Sequence, residues 1–309
     1  KALSLDYKNI ILSIEIPNLH IDPLIVYKLL GAENCFYMQK TLPGKDSPFE
    51  TTMGLKSANI EKINGINPIE KLRKILKENK LTTFCNNNYD HNGLFSYFSY
   101  ECFQYFDKIP KLKKDPNGCP ECLIIEPELI SSYDHTNNKL VISKKISSND
   151  NYDPHRKELI KMANYISGQS EELNTTTLKN IPGSKTFEIT DKNNYLKKIK
   201  KIKKEIISGE FIQCVLTQRF TRTSKIEDQT LLEYLSKRYP SEYIYQISIN
   251  DFSITGSSPE MFLKVKNNKA TIRPVAGTIA SVKGQTKDLV KKLKSSIKDK
   301  AEHIMLVDL

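Results

Sequence analysis

The run YIYQISINDFSITGSSPEMFLKVKNNKATIRPV, residues 243–275, decides the architecture. Its first seven residues are aromatic and β-branched at most positions and read as a strand, Tyr243–Ile249. The chain then passes through DFSITGSSPE into MFLKVKNNKATIRPV, a hairpin that turns at Asn267–Asn268. Working backwards, FIQCVLTQRFT (211–221) reads as another strand. Ile212, Cys214, Leu216 and Phe220 share its core side, and Phe211, Gln213, Val215, Thr217 and Arg219 the other. Before it, TDKNNYLKKIKKIKKEIISGE (190–210) is helical, with Tyr195, Ile199, Ile202 and Ile206 as its stripe. Thr190 or Asp191 can cap its start and Gly209 ends it.

The N-terminal part mixes β-rich runs, NIILSIEI (9–16), GLFSYFSY (93–100) and KLVISKK (139–145), with two helices. DPLIVYKLLG (22–31) has Pro23 in its first turn and Gly31 past its end. NPIEKLRKILKEN (67–79) has Asn67 as N-cap, Pro68 next, and Ile69, Leu72, Ile75 and Leu76 as the apolar stripe. Strand-rich blocks that alternate irregularly with helices make an α+β chain, not a doubly wound parallel sheet. Neither common Gly-rich phosphate loop is present. A first region ends near residue 150, and residues 151–187 lead out of it through the polar, Gly/Pro-punctuated GQSEELNTTTLKNIPGSKT (168–186). Residues 188–309 form the remaining region.

Composition narrows the function classes. The chain has 309 residues, 39% hydrophobic and 9% aromatic, as suits a globular protein. No run approaches the roughly 18 apolar residues of a membrane span. The start, KALSLDYKNIILSIEIP, does not read as a signal peptide, so a cytoplasmic location is expected; a leader lost ahead of Lys1 could redirect it to an organelle. The net charge of +11 is carried by scattered lysines. Only six bases are Arg, the residue preferred for bidentate phosphate and base contacts, which argues against nucleic acid. Six cysteines in a chain this long do not make a disulfide scaffold, and a reducing compartment fits. Cys119 and Cys122 form one CPEC with no second pair and no histidine at ligand spacing, so they read as thiols in a surface turn.

The last residues, KDKAEHIMLVDL (298–309), read as a helix in mid-course. Ala301, Ile304, Met305 and Leu306 continue a stripe that begins at Leu289, Leu293 and Ile297, and no cap follows. With Lys rather than Met at residue 1, the expectation is a piece of a longer protein.

Four patches could carry chemistry. Gln213 lies on the less apolar face of its strand. Glu260 of GSSPE stands in a mostly apolar neighbourhood, where a carboxylic acid could serve as general acid. In RPVAGT (273–278), Gly277 permits close approach of backbone to a ligand and Thr278 offers a hydroxyl. Asp299 and Glu302 are three apart on one helical face, a pair that suits Mg²⁺ with water and substrate completing the shell. Each also has an ordinary structural reading: a satisfied strand amide, a turn carboxylate, a hairpin exit, a solvated helix face.

In this order, SGEFIQCVLTQRF, GSSPE, RPVAGT and KDKAEHIMLVDL resemble the first half of the catalytic domain of the chorismate-utilising enzymes. GLFSYFSYECFQYFDKIP and LISSYDHTNNKLVI, within residues 1–150, are similar to the accessory region of the anthranilate synthase component I branch. The resemblance implies a sandwich of antiparallel sheets with outer helices, incomplete at the C-terminus. It implies chorismate as substrate and Mg²⁺ as cofactor. Glu302 would be a metal ligand, and Asp299, where the family usually has Glu, would act near the metal. Glu260 would protonate the departing C4 hydroxyl, and Ala276, Gly277 and Thr278 would touch substrate. The water-using members carry Lys at the position of Gln213, and aminodeoxychorismate synthases carry Lys at that of Ala276. The pairing Gln213 with Ala276 therefore implies attack by ammonia and formation of anthranilate and pyruvate, toward tryptophan. A glutamine amidotransferase partner would supply the ammonia. Aminodeoxychorismate synthase and a non-catalytic binding protein on the same fold are the rival readings.

The resemblance also places an effector region at Gln39, Lys40, Pro240, Ser241 and Tyr243. There FYMQK (36–40) replaces an LLES-type motif and YPSEY (239–243) an NPSPY-type one, so the resemblance leaves sensitivity to tryptophan open. The family's second half would follow VDL with the opposing metal glutamates, so these 309 residues alone are expected not to turn over chorismate.

Overall fold

The computed structural model describes residues 9–31, 35–45, 47–78, 93–110, 118–169, 191–249, 252–280 and 286–308. Two compact units divide the chain: Lys1–Thr176 with Leu231–Leu309, and Thr177–Thr230. Most of the polar stretch expected as a loop, residues 170–186, lies outside the described residues.

The larger unit is built on one eight-stranded sheet. Its strands are β1 (Asn9–Ile16), β2 (Cys35–Thr41), β3 (Pro48–Ile63), β4 (Phe95–Phe98), β5 (Cys122–Asp134), β6 (Lys139–Ser147), β7 (Tyr243–Ile249) and β8 (Phe252–Ser258). They lie in the order β1-β6-β5-β3-β2-β7-β8, with β4 also on β5. Every pairing is antiparallel, as expected for the α+β class. The runs at 9–16 and 243–249 are strands and 139–145 lies within β6, whereas of the run read at 93–100 only Phe95–Phe98 forms a strand. β2, β3 and β5 were not legible. In β3 the alternation is broken where Lys56 takes φ 52° and the register with β5 slips between Ser57 and Asn59.

α1 (Pro23–Leu29) starts as its sequence dictates: the Asp22 carboxylate accepts the Leu24 N–H at 2.9 Å, and Gly31 closes it at φ 88°. α2 (Pro68–Glu78) is capped by Asn67, whose Oδ1 accepts the Ile69 N–H at 3.0 Å. Leu24, Ile25, Val26 and Tyr27 of α1 join Tyr37, Met53, Leu55, Leu129, Leu140 and Ile142 of the sheet in the main core. Leu159, Ala163 and Ile166 of α3 (Tyr152–Gln169) complete it with Leu232. Lys144 of β6 is buried beneath α3, its Nζ 2.6 Å from Glu158 and 2.9 Å from Glu128.

Two sequence expectations need correcting. Cys122 is not in a surface turn: it opens β5 fully buried beside Cys102, and burial first, then that neighbouring thiol, pushes its own thiol up to about 12. Segment 211–221 is not a strand: apart from a single bridge residue at 221 it has no regular structure, and Ile212, Val215 and Phe220 are 74%, 81% and 60% exposed. Alternation alone makes no strand; backbone N–H and C=O groups need a neighbour to pair with. In the smaller unit α4 (Lys192–Ile207) forms as expected, capped by Asp191 and closed at Gly209, but none of its residues is buried. α5 (Asp228–Arg238) follows, and its Leu232, a residue of the larger unit, belongs to that unit's core.

Candidate active site

The predicted hairpin is present. β9 (Lys264–Lys266) pairs with β10 (Lys269–Thr271) across Asn267 and Asn268, whose φ values of 50° and 58° are those of a two-residue left-handed turn. Asn tolerates this backbone because its short polar side chain bonds locally. The hairpin folds the chain back on the end of β8. The Val275 N–H then donates to Glu260 Oε1 at 3.2 Å. Ser258 secures the other side of Glu260, its Oγ donating to the Glu260 carbonyl at 3.2 Å. Glu260 is exposed, so the apolar enclosure read from the sequence is not what surrounds it; a backbone amide is its partner.

Gly277 makes the second junction. Its φ is 68°, and a Cβ built there would lie 2.9 Å from Asp299 Cβ and 3.1 Å from Oδ1. No larger residue fits without moving one backbone or the other. The close approach read from the sequence is thus to the Asp299 side chain. Ala276 is half-buried beside it and Thr278 is exposed.

Asp299 belongs to α7 (Ile297–Asp308), which follows α6 (Thr286–Ser295). The expected continuous stripe is broken at Ser296. Ser296 Oγ accepts the Asp299 N–H at 3.3 Å, a serine N-cap three residues ahead of an acid. That S-x-x-D signal, SIKD at 296–299, was available in the sequence and was missed. No residue of α7 is buried and Ile297 is 88% exposed, so the stripe does not face a core here. Asp299 and Glu302 are both half-buried and one turn apart on the same face. Among the described residues no three acidic, histidine or cysteine side chains gather as a metal cage. Two carboxylates on one helix face fit Mg²⁺, which commonly takes one or two protein carboxylates and keeps water and substrate for the rest.

Gln213 is exposed and belongs to the smaller unit, Thr177–Thr230.

The two pieces of the candidate effector region meet through sheet register. β2 pairs with β7 so that Gln39 faces Ile244 and Lys40 faces Tyr243. The Thr41 N–H extends the ladder to the Glu242 carbonyl at 2.8 Å, which brings Pro240 and Ser241 to the same edge. The Tyr37 hydroxyl donates to Gln39 Oε1 at 3.0 Å, and burial pushes that phenol well up, so it remains a donor. Lys40 pairs with Glu50 at 2.8 Å. Glu242 forms an ion pair with Arg273, the first residue of RPVAGT. That pairing was not legible, because nothing local relates the two positions.

Anthranilate synthase component 1 of Acetivibrio thermocellus is 26% identical over all of this chain, which covers 68% of that protein. Its counterpart in Saccharomyces cerevisiae is 30% identical over 70% of this chain and 45% of its own length. The crystal structure of anthranilate synthase component I from Streptococcus pneumoniae TIGR4 superposes with a TM-score of 0.70 at 20% identity, over 95% of this chain and 66% of that one. The chain thus spans about half to two-thirds of the length of these relatives. The sequence pattern of the chorismate binding enzymes matches residues 33–309, and the chain belongs to that family.

Proposed function

We propose that the protein carrying this chain is the large component of an anthranilate synthase, converting chorismate and ammonia to anthranilate and pyruvate. The observation that carries the reading is the double junction of the RPVAGT segment: Val275 N–H on Glu260 and Gly277 on Asp299. It draws a general-acid candidate, a substrate-loop candidate and a metal-site candidate to one place.

The contacts support the following roles. Val275 occupies Glu260 Oε1, which fixes the carboxyl and leaves Oε2 to carry the proton given to the departing C4 hydroxyl. The left-handed turn at Gly277 would let the Ala276–Thr278 backbone approach the substrate beside Asp299. Asp299 and Glu302 would hold Mg²⁺ with water and the substrate's C1 carboxylate. When bound there, the ion would draw charge from the ring and favour attack at C2. Gln213 cannot take a proton from water at neutral pH, and Ala276 offers no covalent nucleophile. Ammonia is then the fitting nucleophile, supplied by a glutamine amidotransferase partner, in keeping with relatives named component 1. Among the described residues no helix is long and apolar enough to cross a membrane.

The test is product identification. The complete gene product, given chorismate, Mg²⁺ and ammonium, is expected to yield anthranilate and pyruvate. Aminodeoxychorismate, isochorismate or no product at all would overturn the assignment. Tryptophan is expected not to inhibit, because Gln39 and Lys40 are committed to Tyr37 and Glu50.

A further inference from the structure

We propose that Glu242 and Arg273 are positioning residues, a latch that ties the 273–278 substrate segment to the β2–β7 sheet edge. The inference rests on the chorismate reading of that segment. Glu242 is anchored by the sheet itself: its carbonyl accepts the Thr41 N–H at 2.8 Å. The next residue, Tyr243, stands in register with Lys40 on one side and Ser258 on the other. Its carboxylate is therefore presented from a fixed backbone, on the strand edge that leads through β8 to Glu260.

Arg273 is the opposite case. It leaves the short exposed strand β10, which among the described strands pairs with β9, so the hairpin holds it weakly. The ion pair to Glu242 fixes the segment at its first residue. Two residues on, Val275 meets Glu260, and two further on, Gly277 meets Asp299. These are three ties in five residues, and the first sets the reach of the others. Both partners are half-buried, with side chains 35% and 21% exposed, so water competes less than at an open surface pair. The proline of an NPSPY-type segment could not make this contact. Here Glu242 links the candidate effector edge to the substrate segment by an ion pair.

The experiment uses the complete gene product and reads two things. Backbone amide exchange at Val275 is expected to quicken about fivefold in Glu242→Gln, with β7 and β8 amides and the thermal midpoint nearly unchanged. The charge-reversed double variant, Glu242→Arg with Arg273→Glu, is expected to restore slow exchange. In parallel, Glu242→Gln is expected to raise the KM for chorismate about fivefold and leave kcat within about twofold. Unchanged exchange at Val275, or a reversed pair that does not restore it, overturns the latch. Equal quickening of exchange throughout the sheet also overturns it, since the pair would then be only structural. Absence of anthranilate from the parent protein overturns the anthranilate synthase assignment alone, and the exchange result still decides the latch.

Discussion

Gly277 concentrates the argument at the scale of one residue, because two separate penalties meet there. A side chain would be strained at φ 68°, and its Cβ would press on Asp299 at 2.9 Å. Gly31 isolates the first penalty: its φ is 88° and nothing lies within 4 Å of a built Cβ. Gly31→Ala is expected to cost about 1 kcal/mol, and Gly277→Ala about 2–3 kcal/mol, read from urea midpoints. Equal costs would show that Asp299 simply moves aside. The need for glycine at 277 was legible in AGT; its neighbour was not, because a sequence shows which residue permits close approach but not what approaches. Glu260 shows the same limit. Its type and its place after proline mark it as a candidate acid, but its surroundings were misread, since the amide of Val275 reaches it only through the hairpin.

At the scale of elements, what was legible was whatever local chemistry specifies. The caps at Asp22, Asn67 and Asp191 and the Asn267–Asn268 turn all formed where their residue types require. What was not legible depended on partners. β3 and β5 are long strands whose charges and irregular register hide the alternation, and 211–221 alternates well yet has no regular pairing. The helix α3 is bound to the sheet by such a partnership. Lys144 is buried against Glu158 and Glu128. Burial opposes the charge of Lys144, but hydrogen bonds to Glu158 and Glu128 outweigh it and raise the ammonium's pKa. Removing Glu158 leaves a buried ammonium with one carboxylate. Glu158→Ala is expected to cost about 2 kcal/mol in urea unfolding, with exchange quickening first in α3. Loss of the more exposed Lys56 contact to Glu158, by Lys56→Ala, is expected to cost under about 1 kcal/mol.

Across the whole molecule, several titrating groups act on stability with the same sign. His135 is held below its ordinary value chiefly by burial, its Nε2 2.8 Å from Thr51 Oγ in the sheet. The hydrogen bond and ammonium of Lys144 hold the Glu158 carboxyl low against its burial. Burial opposes ionisation at Glu233 and Asp134 as well, but Lys237 and Lys28 lower the first and hydrogen bonds from Asn137 and Thr136 lower the second. Each group has a folded pKa below its unfolded one. Each therefore contributes stability that is present above the unfolded pKa and lost as pH falls through the folded pKa. The unfolded values differ, about 6.5 for His and about 4 for the carboxylates, so the losses come in two stages. The thermal midpoint is expected to fall gently from about pH 6.5 downward as His135 is forced to charge, then steeply below about pH 4.5. The carboxylate stage is global, because Glu158 ties α3 to β6, Glu233 ties α5 to α1 and Asp134 closes the β5–β6 turn. His135→Gln keeps a hydrogen-bonding group beside Thr51 but cannot titrate. It should abolish the upper stage and leave the lower one intact when midpoints are followed from pH 8 to pH 3. A single transition in the parent protein, or an upper stage that survives in the variant, would remove His135 from this account.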